Sequence, residues 1–317
     1  MDNNVSIQEK QNHPEIILRL AAQRRLYDIA KKLSNGLFMF SVVSTTILTS
    51  LSLVLNSEVL SLYYGYPQKD YSSYLAIYAF LVIIAEKFII SNQVDSWKEL
   101  AAKIQEQLDR RIYNLQWNAV VSGKEPREEC IIKHGEWYLH KFSQEKLVDW
   151  YPLRNSKAQH LLQIVICQNA NLSWDLNLRR RISQIIVWAG FILFSVTLVV
   201  AVILDVPAFS LTINLLSLLA PICSYGFAAH KENKEFIEQS EHLLGCVDEA
   251  IDSACAGIDS TALLKRVENI QEQIYLKRKK SWLIPSFFYW IVRDRDERVM
   301  IQSAEALENK FRNVKQL

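Results

Sequence analysis

The chain has 317 residues, 50% of them hydrophobic and 22% charged, with a formal net charge of +2. Near neutrality argues against a DNA or RNA polymer as the main partner. The five cysteines (Cys130, Cys167, Cys223, Cys246 and Cys255) lack CxxC or zinc-like spacing, which excludes a zinc module and reads as reduced thiols. A mean hydropathy of +0.02 averages a strongly apolar part with a strongly charged one, so it does not describe an ordinary soluble domain.

In chain order, residues 1–36 are polar and basic, without the apolar core and cleavage site of a signal peptide. Within them, 14–35 is predicted as a basic amphipathic helix: Pro14 suits the first turn, and Ile16, Leu20 and Tyr27 fall on one side. Leu37–Leu55 and Tyr71–Ile90 follow as apolar stretches, each near the ~20 residues a helix needs to cross a bilayer. Residues 56–70 between them read as a short external loop. Glu86 and Lys87 lie near the end of the second span, and the helical period runs on through Leu100, Ile104, Leu108, Ile112 and Leu115 until Gly123 and Pro126 break it. The stretch 126–141 is read as a helix and Asp149-Trp150-Tyr151-Pro152 as a turn.

A further helix, N-capped by Asn155 or Ser156, is expected to pass through Leu161, Val165 and Leu172 into a third span, Ile182–Leu204. The turn Asp205-Val206-Pro207 leads to a fourth, Ala208–Ala229. In the tail, Ile237, Leu244, Ile251 and Ile258 recur every seven residues, interleaved with Ser240, Val247 and Ala254. Such a heptad seam serves an oligomeric coiled coil or a packing face within one chain equally well. Asp259 or Ser260 caps a last helix with Leu263, Val267, Ile270 and Ile274 on one stripe.

The expected protein is all-α and integral to the membrane, with four transmembrane helices in two hairpins. Its parts are an N-terminal helix (1–36), hairpin one (37–90, spans 37–55 and 71–90), a central segment (91–181), hairpin two (182–229, spans 182–204 and 208–229) and a tail (230–317). The first, third and fifth parts together form a helical cytosolic domain. Orientation follows from the basic residues: Lys10, Arg19, Arg24, Arg25, Lys31 and Lys32 precede the first span, whereas the 56–70 loop holds only Lys69. The positive-inside rule therefore places both termini and the central segment in the cytosol.

Two polar seams run through the apolar stretches. Ser210, Asn214, Ser217, Pro221 and Ser224 are spaced along one face of span four, and Ser41, Thr45, Thr49 and Ser52 lie close to one face of span one. Hydroxyls and amides facing lipid are costly, so these faces are expected to meet protein or water, either as ordinary helix packing or as the lining of a pore.

No HExxH, GxSxG, P-loop or dinucleotide fingerprint occurs, and His134 and His140 are six apart, on different faces of a helix. Neither an enzyme, a metal site nor a cofactor is expected. The central segment does set aromatics beside arginines: Arg110 and Arg111 before Trp117, the pair Trp150-Tyr151, and Trp174 before Arg179, Arg180 and Arg181. Arginine pairs phosphate and aromatics stack on bases, which suits a nucleotide pocket. Core aromatics and membrane-flanking arginines are the competing reading of the same residues.

Several blocks carry a family likeness: "IQEKQNHPEIILRLAAQRRLYDIAKKL", "ELAAKIQEQLDRRIYNLQWN", "LVDWYP", "VICQNANLSWDLNLRRR" and "IPSFFYWIVRDRDERVM". In this order and over nearly the whole chain, they resemble the SMODS-associating four-transmembrane effector family. The resemblance implies a pore-forming effector of bacterial anti-phage defence, sited in the inner membrane. It further implies activation by a cyclic oligonucleotide from a cognate nucleotidyltransferase, self-association on activation, and abortive infection through loss of the membrane barrier. The alternative is a nucleotide-responsive membrane sensor or scaffold that recruits a partner without forming a pore.

Overall fold

The computed structural model describes residues 6–153, 158–203, 208–284 and 301–309. Among them the ordered elements are helices, with no strand. The chain opens with α1 (Ile7–Gln11), whose start is fixed by a reciprocal capping box between Ser6 and Glu9. Then α2 (Pro14–Phe38) begins at the expected proline. The sequence suggested that this helix and the first span are separate. Instead α2 passes through a π-helical turn, Met39–Val43, directly into α3 (Ser44–Asn56). No glycine or proline stands at the junction to break the ladder, and Gly36 sits inside α2.

The 56–70 segment, read from the sequence as an external loop, is partly helical. It holds α4 (Glu58–Tyr64), capped by the Ser57 hydroxyl and closed by Gly65, whose φ of 72° is left-handed. The second span, α5 (Ser72–Ala85), continues through a π-turn, Glu86–Ile90, into α6 (Ser91–Tyr113), as the unbroken period implied. The helix stops two residues before Leu115 because Asn114 turns left-handed, with φ of 56°. Short α7 (Ala119–Ser122) and α8 (Glu128–Lys141) follow, the latter where a helix was read.

Long helices complete the chain: α9 (His160–Ile203), α10 (Ala208–Cys255) and α11 (Ser260–Lys280), the last capped by Asp259. The N-cap candidates Asn155 and Ser156, the turn Asp205-Val206-Pro207 and most of the block "IPSFFYWIVRDRDERVM" lie outside the described residues.

The chain divides into two compact units. The first gathers Met1–Ala30, Asp95–Arg180 and Glu235–Leu317; the second gathers Lys31–Val94 and Arg181–Lys234. The first has an apolar core built from α6 (Leu108, Ile112), α9 (Val165, Leu172), α10 (Val247, Ile251) and α11 (Val267, Ile274). The heptad seam of α10 is consumed here: Val247, Ala250 and Ile251 are buried, with Leu244, Ala254 and Ile258 packed at the edge. Its packing partners are helices of its own chain.

The second unit reverses the usual distribution. Its exposed surface carries Phe40, Ile47, Leu51, Phe80, Phe191 and Ile192, while its interior mixes hydroxyls and amides with apolar side chains such as Leu53, Leu75 and Leu218. Four helical stretches among the described residues are long and apolar enough to cross a membrane: Pro14–Asn56, Ser72–Tyr113, His160–Val200 and Thr212–Cys255. An apolar outside suits lipid, and helices satisfy their backbone internally there. The protein is an all-α membrane protein.

Candidate functional site

In the second unit, α3 and the π-turn before it present two kinds of hydroxyl. Ser44, Thr46 and Ser50 donate back to carbonyls one turn earlier: Phe40, Val42 (2.7 Å) and Thr46 (2.8 Å). This is the ordinary way a serine or threonine is satisfied in an apolar helix. Ser41, Thr45, Thr49 and Ser52 behave differently. They are 0%, 0%, 1% and 2% exposed, and their hydroxyls have no partner among the described residues. Asn56 Nδ2 extends the line, so the column runs from Ser41 to Asn56, about 22 Å of helix.

On α10, Asn214 is fully buried with both amide atoms unpartnered, and Ser217 is buried with a free hydroxyl. Ser224 is half-buried, and Ser210 lies outside the described side chains. Each buried polar group left without a partner costs about 1–3 kcal/mol. In a native fold such groups are satisfied by water or by neighbouring protein, so the column is a candidate either for a hydrated lining or for a helix-packing seam.

In the first unit a charged network occupies the core. Asp109 accepts from the Tyr151 hydroxyl, from Arg278 Nη1 at 2.6 Å and from Gln271 Nε2 at 3.2 Å. Gln271 also donates to Glu106 at 2.8 Å, and Glu106 pairs with Arg110. Burial, and after it the Asp109 charge, pushes the Glu106 carboxyl up. Burial likewise raises the Tyr151 hydroxyl, with Asp109 adding to the effect.

The residues read from the sequence as nucleotide ligands are distributed among several contacts. Arg110 and Tyr151 belong to the one network through Glu106, Gln271 and Asp109. Arg111 is on another side of α6, paired with Glu15 and, at 3.2 Å, with Glu128. Trp117 donates its indole N–H to the Gly123 carbonyl at 2.9 Å. Trp150 has the Arg24 guanidinium 5.1 Å from its ring centre, and Trp174 is half-buried on α9. Arg179 is buried, 3.4 Å from Asp175, bonded to the Trp282 carbonyl at 3.1 Å and stacked 3.7 Å from the Phe236 ring. Arg180 is exposed and paired with Glu241. Arg110, Arg111, Arg179 and Arg180 therefore each already hold a carboxylate.

A cleft of about 270 Å³ lies between α10 and α11, and none of its residues was read from the sequence as a ligand contact. Gln239, His242 and Leu243 line one side; Arg266, Asn269 and Ile270 line the other. Both sets repeat an i, i+3, i+4 pattern, which identifies a helix face in sequence but not the face it meets. Arg266 donates to Ser253 Oγ at 3.1 Å and has no carboxylate partner among the described residues.

Compared with known proteins, the chain matches the family model for the SMODS-associating 4TM effector domain over residues 5–307. The chain belongs to this family. As a 4TM effector domain it also matches a curated relative, named "Probable CBASS effector molecule", from Bacillus cereus (strain VD146). The two are 26% identical over 299 residues, covering 93% of this chain and 95% of the relative. No solved structure matches this 4TM effector. Among its described residues no cluster of histidine, cysteine, aspartate and glutamate is arranged to hold a metal.

Proposed function

We propose that this 4TM effector is the membrane-acting arm of a CBASS anti-phage system. In this reading a cyclic oligonucleotide activates it, and it opens an aqueous path that ends the barrier function of the inner membrane. The observation that carries the reading is the column of buried, unpartnered hydroxyls and amides on the first and last spans, enclosed by an apolar outer surface. Helix packing in lipid also uses serine and threonine, but it pairs them across helices, whereas these groups have no partner among the described residues. The family and the relative's name support the defence context. The first unit, rich in charge and turned to the cytosol, is the sensing part. Arg266, at the α10–α11 cleft, offers a phosphate a cation that no ion pair among the described residues has already neutralised.

The test is release of a small dye or of potassium from liposomes carrying the purified chain, titrated with cyclic di- and trinucleotides. Release is expected with one nucleotide and not without it. The paired change Asn214→Leu and Ser217→Leu should abolish release while nucleotide binding persists. A nucleotide that binds without causing any release would overturn the pore and leave a sensor that recruits a partner.

A further inference from the structure

We propose that the path through the membrane unit carries small cations and that Glu86 selects them at its mouth. The inference rests on the aqueous path of the preceding reading and adds what passes through it.

The electrostatics of the interior are one-sided. Among the described residues of the second unit, the buried polar side chains are Ser34, Ser41, Thr45, Thr49, Ser52, Asn56, Ser57, Ser72, Glu86, Asn214, Ser217 and Asn233. That set contains one carboxylate and no lysine, arginine or histidine. Glu86 is 4% exposed, and its Oε2 has no partner among the described residues. Its neighbour Lys87 is exposed and acts on the carboxyl by its charge, without a salt bridge between them among the described residues. A buried carboxylate without a cation is costly, and proteins keep one in a membrane segment where an ion or water reaches it.

Position supports the same assignment. The Tyr78 hydroxyl of α5 meets Ser44 Oγ at 2.6 Å, which fixes the level of span two against span one. Glu86 is eight residues further along, about 12 Å, in the direction in which span one runs back past Ser41. The carboxylate thus stands beyond the Ser41 end of the hydroxyl column. Both places are π-helical, Met39–Val43 and Glu86–Ile90, a geometry that re-aims side chains and recurs at functional sites.

Hydroxyl and amide oxygens are ligands that replace the hydration of small cations. Carboxylates at a mouth raise the local cation concentration and repel anions. The absence of any buried basic group among the described residues of the second unit removes the counterpart an anion would need.

The full-length chain in planar bilayers, opened with the same cyclic nucleotides under a potassium chloride gradient, measures this directly. The reversal potential is expected close to the potassium equilibrium potential. Glu86→Gln should lower the potassium-to-chloride permeability ratio roughly tenfold, in line with what one focused charge does to local ion concentration. Glu86→Asp should keep most of the selectivity, and retained thermal unfolding of both variants separates selection from folding. A current without ion preference, a chloride preference, or selectivity unchanged in Glu86→Gln would overturn the inference and leave the path standing. No current with any nucleotide that binds would remove the path itself, and the inference with it.

Discussion

Lys277 shows what burial does to a single group in the first unit. Its ammonium sits 4.0 Å from the Phe236 ring and donates to Ser240 Oγ at 3.0 Å, without a carboxylate in ion-pair range among the described residues. Burial lowers its pKa to about 7, against a weaker pull upward from Asp175; Arg278 and Arg179 add to the lowering. In the unfolded chain the same lysine titrates near 10.5. Between these values the unfolded state holds a proton that the folded state has released, so stability rises with pH. The gain is at most about 1.4 kcal/mol per pH unit. Below pH 7 both states are charged and the full penalty stands. The protein in detergent should therefore melt at higher temperature at pH 9 than at pH 7, a difference that Lys277→Met removes. An equal slope in the variant would mean that Lys277 keeps its charge in the fold. No sequence reading singled out this lysine, because its environment is made by Phe236 and Ser240 on α10 and by Arg179 on α9, all distant along the chain.

Between elements, a close approach lies where α8 meets α2 at Gly135. A β-carbon at Gly135 would stand 2.5 Å from Leu18 Cδ1 and 2.6 Å from the Leu18 carbonyl oxygen. The side chain can move, but the carbonyl belongs to a helix and cannot. Gly135→Ala is expected to cost about 1–3 kcal/mol by overpacking. At Gly245, on the exposed side of α10, a β-carbon meets nothing, and alanine there should stabilise by about 0.5–1 kcal/mol through helix propensity. Thermal unfolding of the two variants should move in opposite directions; the same sign in both would remove the α2–α8 contact as its cause.

Elements of this kind were largely legible beforehand. Apolar length alone marked the spans, Pro14 the start of α2, and the unbroken period the continuity of α5 into α6. The partners of their faces were not legible. The seven-residue repeat of α10 could not say whether Val247 and Ile251 would meet another copy or α11. The arginines of the central segment could not say that Glu15, Glu106, Asp175 and Glu241 would reach them first. Those pairings depend on three separate stretches of chain folding into one unit, and helical spacing carries no record of which stretch comes alongside.

At the scale of the whole molecule, every crossing of the chain between the two units falls inside a helical segment. Ala30–Lys31 lies in α2, Val94–Asp95 in α6, Arg180–Arg181 in α9 and Lys234–Glu235 in α10. A helix transmits rotation and displacement along its axis as a flexible linker does not, so a ligand that shifts the first unit has four direct routes to the spans. The α6 crossing is the best place to interrupt one of them, since Asn92, Gln93, Asp95 and Ser96 around it are all exposed. Two glycines inserted after Val94 should leave nucleotide binding by the full chain intact within about twofold, because the first unit, to which binding is assigned in the proposed function, keeps its own core. The same insertion should weaken or abolish nucleotide-triggered release from liposomes. Binding and release both unchanged would show that this helix does not carry the signal. Loss of binding would place part of the ligand contact on the α6 junction itself.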